Sequence, residues 1–123
     1  MTDRATIISA IENYCRTQCE KDKAGWAALF AENVFHEDPI GIHQTWGKEH
    51  VVGAFWDHIV RNDVKIWLTD EIIACGNEAL AIMACEIGPA NNRRRIAPVV
   101  DQFVFAEDGK IASVRGFYNL PEH

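Results

Sequence analysis

The first part of the chain carries apolar residues at the spacing of an α-helix. Thr2 or Asp3 can cap a helix of about five turns, in which inward positions recur every three or four residues. These inward positions are Ile7, Ile8, Ile11, Tyr14, Cys15 and Gln18. Because Tyr14 belongs to this set, the pattern predicts that its ring points into the core and away from water.

Two further helices are predicted before the pattern changes. After a polar break, Trp26, Leu29 and Phe30 continue the helical spacing in a short second helix that is predicted to end near Asn33. The first two helices are expected to pack as an antiparallel pair. Gly47 starts a third helix. Its apolar positions are Val51, Val52, Phe55, Trp56 and Ile59.

The second half of the chain alternates between apolar and polar positions, which is typical of β-strands. Four strands are predicted, at residues 65–75, 79–87, 96–105 and 111–118. Three helices followed by an antiparallel meander predict an α+β fold, in which the helices cover one face of the sheet. Residues 1–123 are expected to form a single domain, because no linker-like segment divides them.

One carboxylate lies where an extended segment is forced to turn, in Glu37-Asp38-Pro39-Ile40-Gly41. Pro39 disfavours a helical backbone at Asp38 and supplies no amide hydrogen, and Gly41 permits a sharp turn. The side chain of Asp38 is therefore predicted to project from the end of a strand. A carboxylate held in this way is well placed to act as a general base.

A second acid, Asp101, lies on the apolar side of a predicted strand. Alternation places it on the same face as Val99, Phe103 and Phe105. If the helices cover that face, desolvation keeps Asp101 protonated and makes it a hydrogen-bond donor. The alternative is an exposed acid on an edge strand, or one that forms an ion pair with Arg115.

The composition narrows the choice of partners and location. A net charge of −6 argues against nucleic acid and against an anionic membrane as a partner. The chain shows no signal-peptide layout and no apolar run long enough for a membrane span, so a cytoplasmic protein is expected. Arg93-Arg94-Arg95 follows a turn signal and is expected to be a solvated hairpin flank; the alternative is a rim that attracts an anionic group of a ligand.

Metal and disulfide chemistry are not expected. Four histidines show neither the helical pair spacing nor the matched third ligand of a metal site, namely His36, His43, His50 and His58. Four cysteines lack paired metal-type spacing and are expected to be free, buried thiols. They are Cys15, Cys19, Cys75 and Cys85.

Three segments give the chain a resemblance to the ketosteroid Δ5-isomerases of the nuclear-transport-factor-2-like (NTF2-like, SnoaL-like) superfamily. They are Tyr14 on the first helix, Ala28-Leu29-Phe30-Ala31 with the later Glu37-Asp38-Pro39-Ile40-Gly41, and the strand that runs from Ala97-Pro98 through Asp101 to Phe105. The family pattern reads Ala-Leu-Phe-Ala, Glu-Asp-Pro-Val-Gly and Ala-Pro-x-Asp-x-Phe-x-Phe. This chain has one additional residue between Pro98 and Asp101, and the resemblance runs nearly from end to end.

The resemblance implies a cone in which three N-terminal helices pack on a strongly curved, mainly antiparallel sheet around an apolar pocket. It implies an isomerase that moves a carbon–carbon double bond into conjugation with a ketone on a steroid-like substrate, without a cofactor. Asp38 would be the general base, and Tyr14 and a protonated Asp101 would form the oxyanion hole. Asp101 takes this role from the family, which is the standard example of a carboxylic acid kept neutral by an apolar site. A homodimer is also implied.

One departure from the family lies on the third helix, where Trp56 stands in place of a tyrosine that hydrogen-bonds the catalytic one. Tyr118 is expected to contact the base. The expected substrate-binding residues are Phe55, Trp56, Met83, Phe103 and Tyr118, with Trp46 as a further wall. Two alternatives stay open: a non-catalytic protein that binds a steroid or another apolar ligand, and another enzyme of the superfamily, such as a polyketide cyclase, a dehydratase or an epoxide hydrolase. An epoxide hydrolase of this superfamily needs an Asp-Arg-Asp set, which Arg115 would have to complete.

Overall fold

The computed structural model describes residues 2–120, which form three helical regions and seven strands. Helix α1 spans Arg4–Glu20 and helix α2 spans Lys23–Ala27. The third region, named α3 as a whole, runs without interruption through three segments: Lys48–His50, a π-helical turn at Val51–Phe55, and Trp56–Arg61. The cap of α1 is Asp3, whose carboxylate accepts a hydrogen bond from the Thr6 amide at 2.8 Å.

The seven strands form one sheet with the order β2-β1-β7-β6-β5-β3, and β4 pairs with β5. The strands are β1 Phe30–Glu37, β2 Gln44–Trp46, β3 Lys65–Leu68, β4 Ile73–Cys75, β5 Glu78–Ile87, β6 Arg94–Phe105 and β7 Ile111–Tyr118. Only the β1–β7 pair is parallel. Register shifts in three of the strand pairs bend the sheet. The predicted α+β cone, with three helices on a curved and mainly antiparallel sheet, is confirmed.

The structure corrects two of the predicted boundaries. The second helix ends at Ala27 instead of Asn33, because the following residues pair with β7 from Phe30 onwards. The predicted strand at 65–75 is divided into β3 and β4. Both halves pair with β5. The four residues between Leu68 and Ile73 lie opposite only two residues of β5, those between Leu80 and Met83, so this segment bulges out of the sheet. In both places, pairing with a distant strand overrides the local pattern.

An aromatic cluster under the sheet holds the helices in place. Trp26 is fully buried at its centre, with ring centroids 4.6 Å from Phe30, 5.2 Å from Trp56 and 6.2 Å from Tyr14. Tyr14 also contacts Phe103 edge-on at 5.2 Å. The inward orientation predicted for Tyr14 is confirmed. Burial of these five aromatic side chains at the junction supplies much of the apolar area that fixes α1 and α3 against the strands.

The arginine-rich turn is more ordered than the sequence suggested. Arg93 is largely buried and forms ion pairs with Asp63 at 3.2 Å and with Glu86 at 3.3 Å. Its guanidinium also donates to the Gly88 carbonyl at 2.6 Å. The expectation of a solvated flank is therefore wrong for Arg93, which closes the β5–β6 hairpin, whereas the next two arginines of the run are exposed.

All four cysteines are free thiols, as expected. Cys15 and Cys85 are buried, but Cys19 is half-buried and Cys75 is exposed at the end of β4, so the expectation of burial is wrong for Cys75. Within residues 2–120, no helix combines the length and the hydrophobicity needed to cross a membrane. The same part of the chain contains no group of three or more His, Cys, Asp and Glu side chains arranged to hold a metal ion.

Candidate active site

A cavity of about 510 Å³ lies between the inner face of the sheet and the helices α1 and α3. Its wall is mostly apolar, and its polar side chains converge from separate elements. They are Tyr14 and Gln18 from α1, Asp38 and His43 from the turn after β1, Thr45 from β2, His58 from α3, Asp101 from β6 and Tyr118 from β7. A mostly apolar cavity of this size with a few convergent polar groups is the usual form of a small-molecule site.

The three residues predicted to carry the chemistry line this one cavity. Tyr14 reaches it from a helix, Asp38 from the end of β1 and Asp101 from the middle of β6. Of the five residues expected to bind substrate, Phe55, Met83 and Tyr118 also line it. The other two, Trp56 and Phe103, are buried behind the cavity wall.

The π-helical turn decides which aromatic residue of α3 faces the cavity. It ends at Phe55, whose ring lies on the cavity wall, while the next residue, Trp56, is 5% exposed and packs against Trp26. Phe103 is fully buried behind the wall, in edge-on contact with Tyr14. The expectation that Trp56 and Phe103 line the pocket is therefore corrected: both support the wall from the core side. Trp46, at 61% exposed, faces solvent.

The neighbouring Glu37 holds the turn that carries Asp38. Its carboxylate accepts hydrogen bonds from the Gly41 amide at 2.9 Å, the Gln44 side chain at 2.8 Å and the Arg115 guanidinium at 3.0 Å. These bonds, from Gln44, Gly41 and then Arg115, lower the pKa of Glu37 to about 2. Glu37 was not singled out from the sequence, although it precedes Asp38 in the motif. It fixes the turn from the outer face of the sheet, while Asp38 enters the cavity on the inner face.

Burial raises the pKa of Asp38 to about 6. Two neighbours act in the opposite direction and partly offset the loss of water: a hydrogen bond from the Tyr118 hydroxyl and the charge of His43. The contact that the sequence predicted between Tyr118 and Asp38 is therefore present. A carboxylate with a pKa just below neutrality is mostly ionised at pH 7 and still basic enough to accept a proton from carbon.

Asp101 lies in a much drier environment. It is 4% exposed, β6 lies between β5 and β7 in the sheet, and its Oδ1 atom has no hydrogen-bond partner among the described residues. Burial, followed by the nearby charge of Asp38, raises the pKa of Asp101 well above its ordinary value. Arg115 does not offset this rise in the pKa of Asp101, because its guanidinium is hydrogen-bonded to Glu37. The alternatives of an edge-strand acid and of an Arg115 ion pair are thus overturned, and the environment of Asp101 favours the protonated form of its carboxyl group.

Gly116 on β7 separates the two acids. Gly116 is paired with Asp101, and its carbonyl accepts a hydrogen bond from the Ile40 amide at 3.1 Å. A Cβ atom built at this position would lie 2.9 Å from the carboxyl carbon of Asp38 and 3.1 Å from Oδ1 of Asp101. Both carboxyl groups therefore approach one point that only a glycine leaves empty. This proximity lets the charge of Asp38 act directly on Asp101.

The Tyr14 side chain is almost completely buried, at 1% exposed. Burial and the charges of Asp101 and Asp38 raise the pKa of its phenol well above the ordinary value. One contact acts in the opposite direction, a hydrogen bond with the side chain of Gln18. The sequence pattern placed Gln18 on the inward face of α1 without giving it a role. Tyr14 is thus a protonated hydrogen-bond donor at the inner end of the cavity.

The Tyr118 contact leads to a measurable expectation for Asp38. Replacing Tyr118 with Phe removes the hydroxyl that stabilises the carboxylate, so the pKa of Asp38 should rise above its present value of about 6, by up to about one pH unit. A carbon-13 NMR titration of the Asp38 carboxyl measures this shift. Thr45→Val is the matched control, since it removes a hydroxyl from another part of the wall. An unchanged Asp38 titration in Tyr118→Phe would contradict the assignment.

The curved sheet and its closed-in pocket define this molecule as an NTF2-like cone. A family model described as the SnoaL-like domain matches residues 11–114, and the chain belongs to that family.

Three solved structures are similar to this chain over more than nine-tenths of its length. Rv0760c from Mycobacterium tuberculosis, solved in complex with estradiol-17β-hemisuccinate, has 26% identity and a TM-score of 0.84 over 94% of this chain and 95% of its own. The Δ5-3-ketosteroid isomerase from Mycobacterium sp. has 25% identity and a TM-score of 0.78 over 93% of each chain. The epoxide hydrolase/cyclase-like enzyme SalBIII, which acts in pyran ring formation in the polyether salinomycin, has 26% identity and a TM-score of 0.87 over 98% of this chain and 95% of its own.

Proposed function

We propose that this protein is an isomerase that moves a carbon–carbon double bond into conjugation with a ketone, on a steroid of the 3-oxo-Δ5 type. The observation that carries the proposal is the placement of Tyr14, Asp38 and Asp101 around one apolar cavity, with the two acids in unequal environments. The pKa of Asp38 is about 6, so this acid is mostly ionised at pH 7, and burial raises the pKa of Asp101 well above its ordinary value, which favours the protonated acid in this proposal. Such a pair supports base and acid functions at the same pH.

The reaction is an intramolecular proton transfer. The Asp38 carboxylate removes a proton from the carbon between the carbonyl and the alkene, and the electron pair of that bond moves toward the carbonyl oxygen to give a dienolate. Asp38, now protonated, delivers the same proton to the far end of the conjugated system, which moves the double bond and restores the ketone. Substrate and product have the same atoms, so the step requires no oxidant or cofactor.

Tyr14 and Asp101 stabilise the charge that forms on the oxygen. Burial raises the pKa of the Tyr14 phenol and that of the Asp101 carboxyl group well above their ordinary values, and both groups face the cavity, so the proposal uses both as protonated donors. Two fixed donors in a water-poor site bind an oxyanion more strongly than a ketone, so they stabilise the transition state more than the substrate. The Oδ1 atom of Asp101, which has no partner within residues 2–120, leaves hydrogen-bonding capacity for such a ligand.

The cavity supports a flat, apolar substrate. Its apolar wall includes Phe55, Met83 and Val99, and its volume of about 510 Å³ lies within the range of small-molecule sites. One protein with a similar fold has been crystallised with an estradiol derivative, and another protein with a similar fold is a Δ5-3-ketosteroid isomerase. These likenesses support a steroid-like ligand over a small polar one.

The direct test is to add a 3-oxo-Δ5-steroid to the wild-type protein and to follow the ultraviolet absorbance of the conjugated enone. We expect catalytic turnover that depends on protein concentration, with kcat/KM rising as Asp38 ionises, about a midpoint near pH 6. Binding of the steroid, measured by calorimetry, without formation of the enone would refute the isomerase and leave a binding protein.

A binding protein is the second candidate, and one observation favours it. Trp56, which replaces a tyrosine of the resembling isomerases, packs on Trp26 and contributes no described ring contact to Tyr14. An epoxide hydrolase with an Asp-Arg-Asp set finds less support, because Arg115 is engaged by Glu37 and does not line the cavity. Incorporation of oxygen from labelled water into the product would identify hydrolysis and refute the isomerase.

We also propose that the protein is a cytoplasmic homodimer. The outer positions of the sheet carry exposed apolar side chains, among them Leu80, Phe117 and Trp46, which are between 39% and 61% exposed. Pairing of two sheets through these faces would remove this area from water. Analytical ultracentrifugation of the purified protein tests the assembly. A monomer at a protein concentration on the order of tens of micromolar would contradict the homodimer.

A further inference from the structure

His58 lies at the open end of the cavity. It lines the cavity from α3, and its ring centroid is 5.8 Å from that of Phe55, another residue of the wall. The wall is dry at Tyr14 and Asp101, which are 1% and 4% exposed, and open at Ile42, which is 54% exposed. His58 is also exposed. A ligand that reaches Tyr14 and Asp101 with one end therefore directs its other end toward the mouth, where His58 lies.

The side chain of Asn62, one helical turn after His58, holds the imidazole ring. Its nitrogen lies 3.0 Å from the His58 carbonyl oxygen and 3.0 Å from Nδ1 of the His58 ring. A carbonyl oxygen accepts a hydrogen bond and donates none, so the Asn62 atom beside it is the amide nitrogen and not the amide oxygen. One hydrogen of this NH2 group bonds to the carbonyl, and the second is directed at the ring.

The contact with Asn62 fixes the tautomer of His58. Because the amide nitrogen offers only hydrogens, Nδ1 accepts the bond and carries no proton of its own, so the single N–H of the neutral ring is on Nε2. Nε2 lies on the far side of the ring from this contact and has no hydrogen-bond partner within residues 2–120. Burial, followed by the charges of Arg61 and His43, lowers the pKa of His58, which favours the neutral ring at pH 7.

The other polar side chains near the mouth are not fixed in this way. His43 and Thr45 also line the cavity. A hydroxyl such as that of Thr45 rotates to donate or to accept, and the ring of His43 has no hydrogen bond to another described residue that would select a tautomer. Asn62, in contrast, does not line the cavity, so it holds His58 from outside the space that a ligand occupies.

We propose that His58 is a second anchoring point for the ligand: its Nε2–H donates a hydrogen bond to an uncharged acceptor oxygen, such as a carbonyl, at the end of the steroid remote from the reacting ketone. Polar groups at the two ends of an apolar cavity determine which end of a flat ligand enters the dry part. Asn62 is the positioning residue that keeps the donor in place. The inference rests on the proposed function for the identity of the substrate, whereas the tautomer of His58 does not depend on it.

The binding test compares two saturated 3-ketosteroids that differ only at the remote end, where one carries a second carbonyl and the other a methylene group. In calorimetry, the wild-type protein should bind the dicarbonyl steroid about 3- to 10-fold more tightly, the equivalent of one hydrogen bond. His58→Leu should bind the two steroids with affinities within about 2-fold of each other. No preference in the wild type, or a preference that survives in His58→Leu, overturns the inference.

Two variants show that the preference comes from the N–H group and not from a change in the fold. His58→Gln keeps an N–H at a similar reach and should retain most of the preference. His50→Leu removes an exposed histidine of α3 that does not line the cavity and should leave the preference unchanged. Loss of the preference in His50→Leu, or its complete loss in His58→Gln, overturns the inference.

The tautomer is tested without any ligand. Nitrogen-15 NMR of the His58 ring at about pH 8 should place the proton on Nε2, and a proton on Nδ1 overturns the inference. In Asn62→Asp the carboxylate offers only acceptors, so at about pH 9 the proton of the neutral ring should move to Nδ1. Nε2 then faces the ligand as an acceptor, and the preference for the dicarbonyl steroid should disappear although His58 is retained. A preference that persists in Asn62→Asp overturns the role of Asn62.

These measurements separate the inference from the proposed function. If the enone assay shows no turnover but the preference depends on His58, the isomerase proposal fails and the anchoring role stands. If turnover is observed, His58→Leu should lower kcat/KM about 3- to 10-fold for a 3-oxo-Δ5-steroid with a remote carbonyl, and less than about 2-fold for one without it. Turnover in which His58→Leu affects both substrates equally, or neither, overturns the anchoring role alone.

Discussion

Asp38→Asn should nearly abolish turnover and make the protein more stable at pH 7. The amide is isosteric with the carboxylate but accepts no proton from carbon, so we expect turnover to fall by about 10⁴-fold, the upper range for loss of a general base. KM should change much less, since the amide keeps the shape of the site. The enone assay measures both constants, and substantial turnover in the variant would refute the assignment of Asp38 as the base.

The gain in stability follows from the pKa of Asp38. In the folded protein this pKa is raised from 3.8 to about 6, so the folded state disfavours the ionised form. The free-energy cost of burying the ionised carboxylate is absent below the pKa of Asp38 in the unfolded chain. It grows as the pH rises and is complete above the pKa of Asp38 in the folded protein. Its removal in Asp38→Asn should therefore raise the free energy of unfolding at pH 7 by about 1–3 kcal/mol, and by much less near pH 4.

Urea unfolding at pH 7 and pH 4 measures this difference. Asp57→Asn, at an exposed position on α3, is the matched control and should leave the free energy of unfolding nearly unchanged at both pH values. Equal stabilisation of Asp38→Asn at both pH values would show that the effect does not come from the buried charge. The joint result, less activity with more stability, is typical of a residue kept for chemistry at the expense of folding.

Tyr14→Phe should lower kcat by about 10²–10³-fold, as loss of an oxyanion donor does in other enzymes. The phenyl ring keeps the contacts with Trp26 and Phe103, so the core is retained. Because the lost bond strengthens only as charge develops on the substrate oxygen, KM should change little. Steady-state kinetics with the 3-oxo-Δ5-steroid provide the measurement.

Thr45→Val serves as the control for Tyr14→Phe, because it removes a hydroxyl that lines the same cavity but is carried by a different element, strand β2. We expect its kcat to stay within about 3-fold of the wild-type value. A Tyr14→Phe variant in which KM rises and kcat is unchanged would assign Tyr14 to ground-state binding. It would then have no part in stabilising a dienolate.

The fold was predictable from the sequence where the local residue pattern and the long-range packing favour the same structure. Alternation alone placed Asp101 on the apolar face of a strand, and Pro39 alone placed Asp38 at a strand end, and both positions are found in the structure. Helical spacing turned Tyr14 inward. These three placements depend only on the backbone geometry of neighbouring residues, so the sequence alone is enough to predict them.

The remaining features depend on contacts that the sequence does not state. A π-helical turn decides whether Phe55 or Trp56 faces the cavity. This turn holds about one residue more than a turn of α-helix, so the side-chain directions expected from regular α-helical spacing do not apply after it. The bond from Arg115 to Glu37 joins residues on two strands, so the outward position of Arg115 was not recognised.

Gly116 has a consequence for how this site would be mapped by mutation. Its backbone lies outside the left-handed region, so what the position requires is the empty volume between Asp38 and Asp101. Scanning with alanine normally deletes atoms and reports what a side chain contributes. At Gly116 the same substitution inserts a methyl group between two reactive acids, so its phenotype would measure how close together those acids must lie.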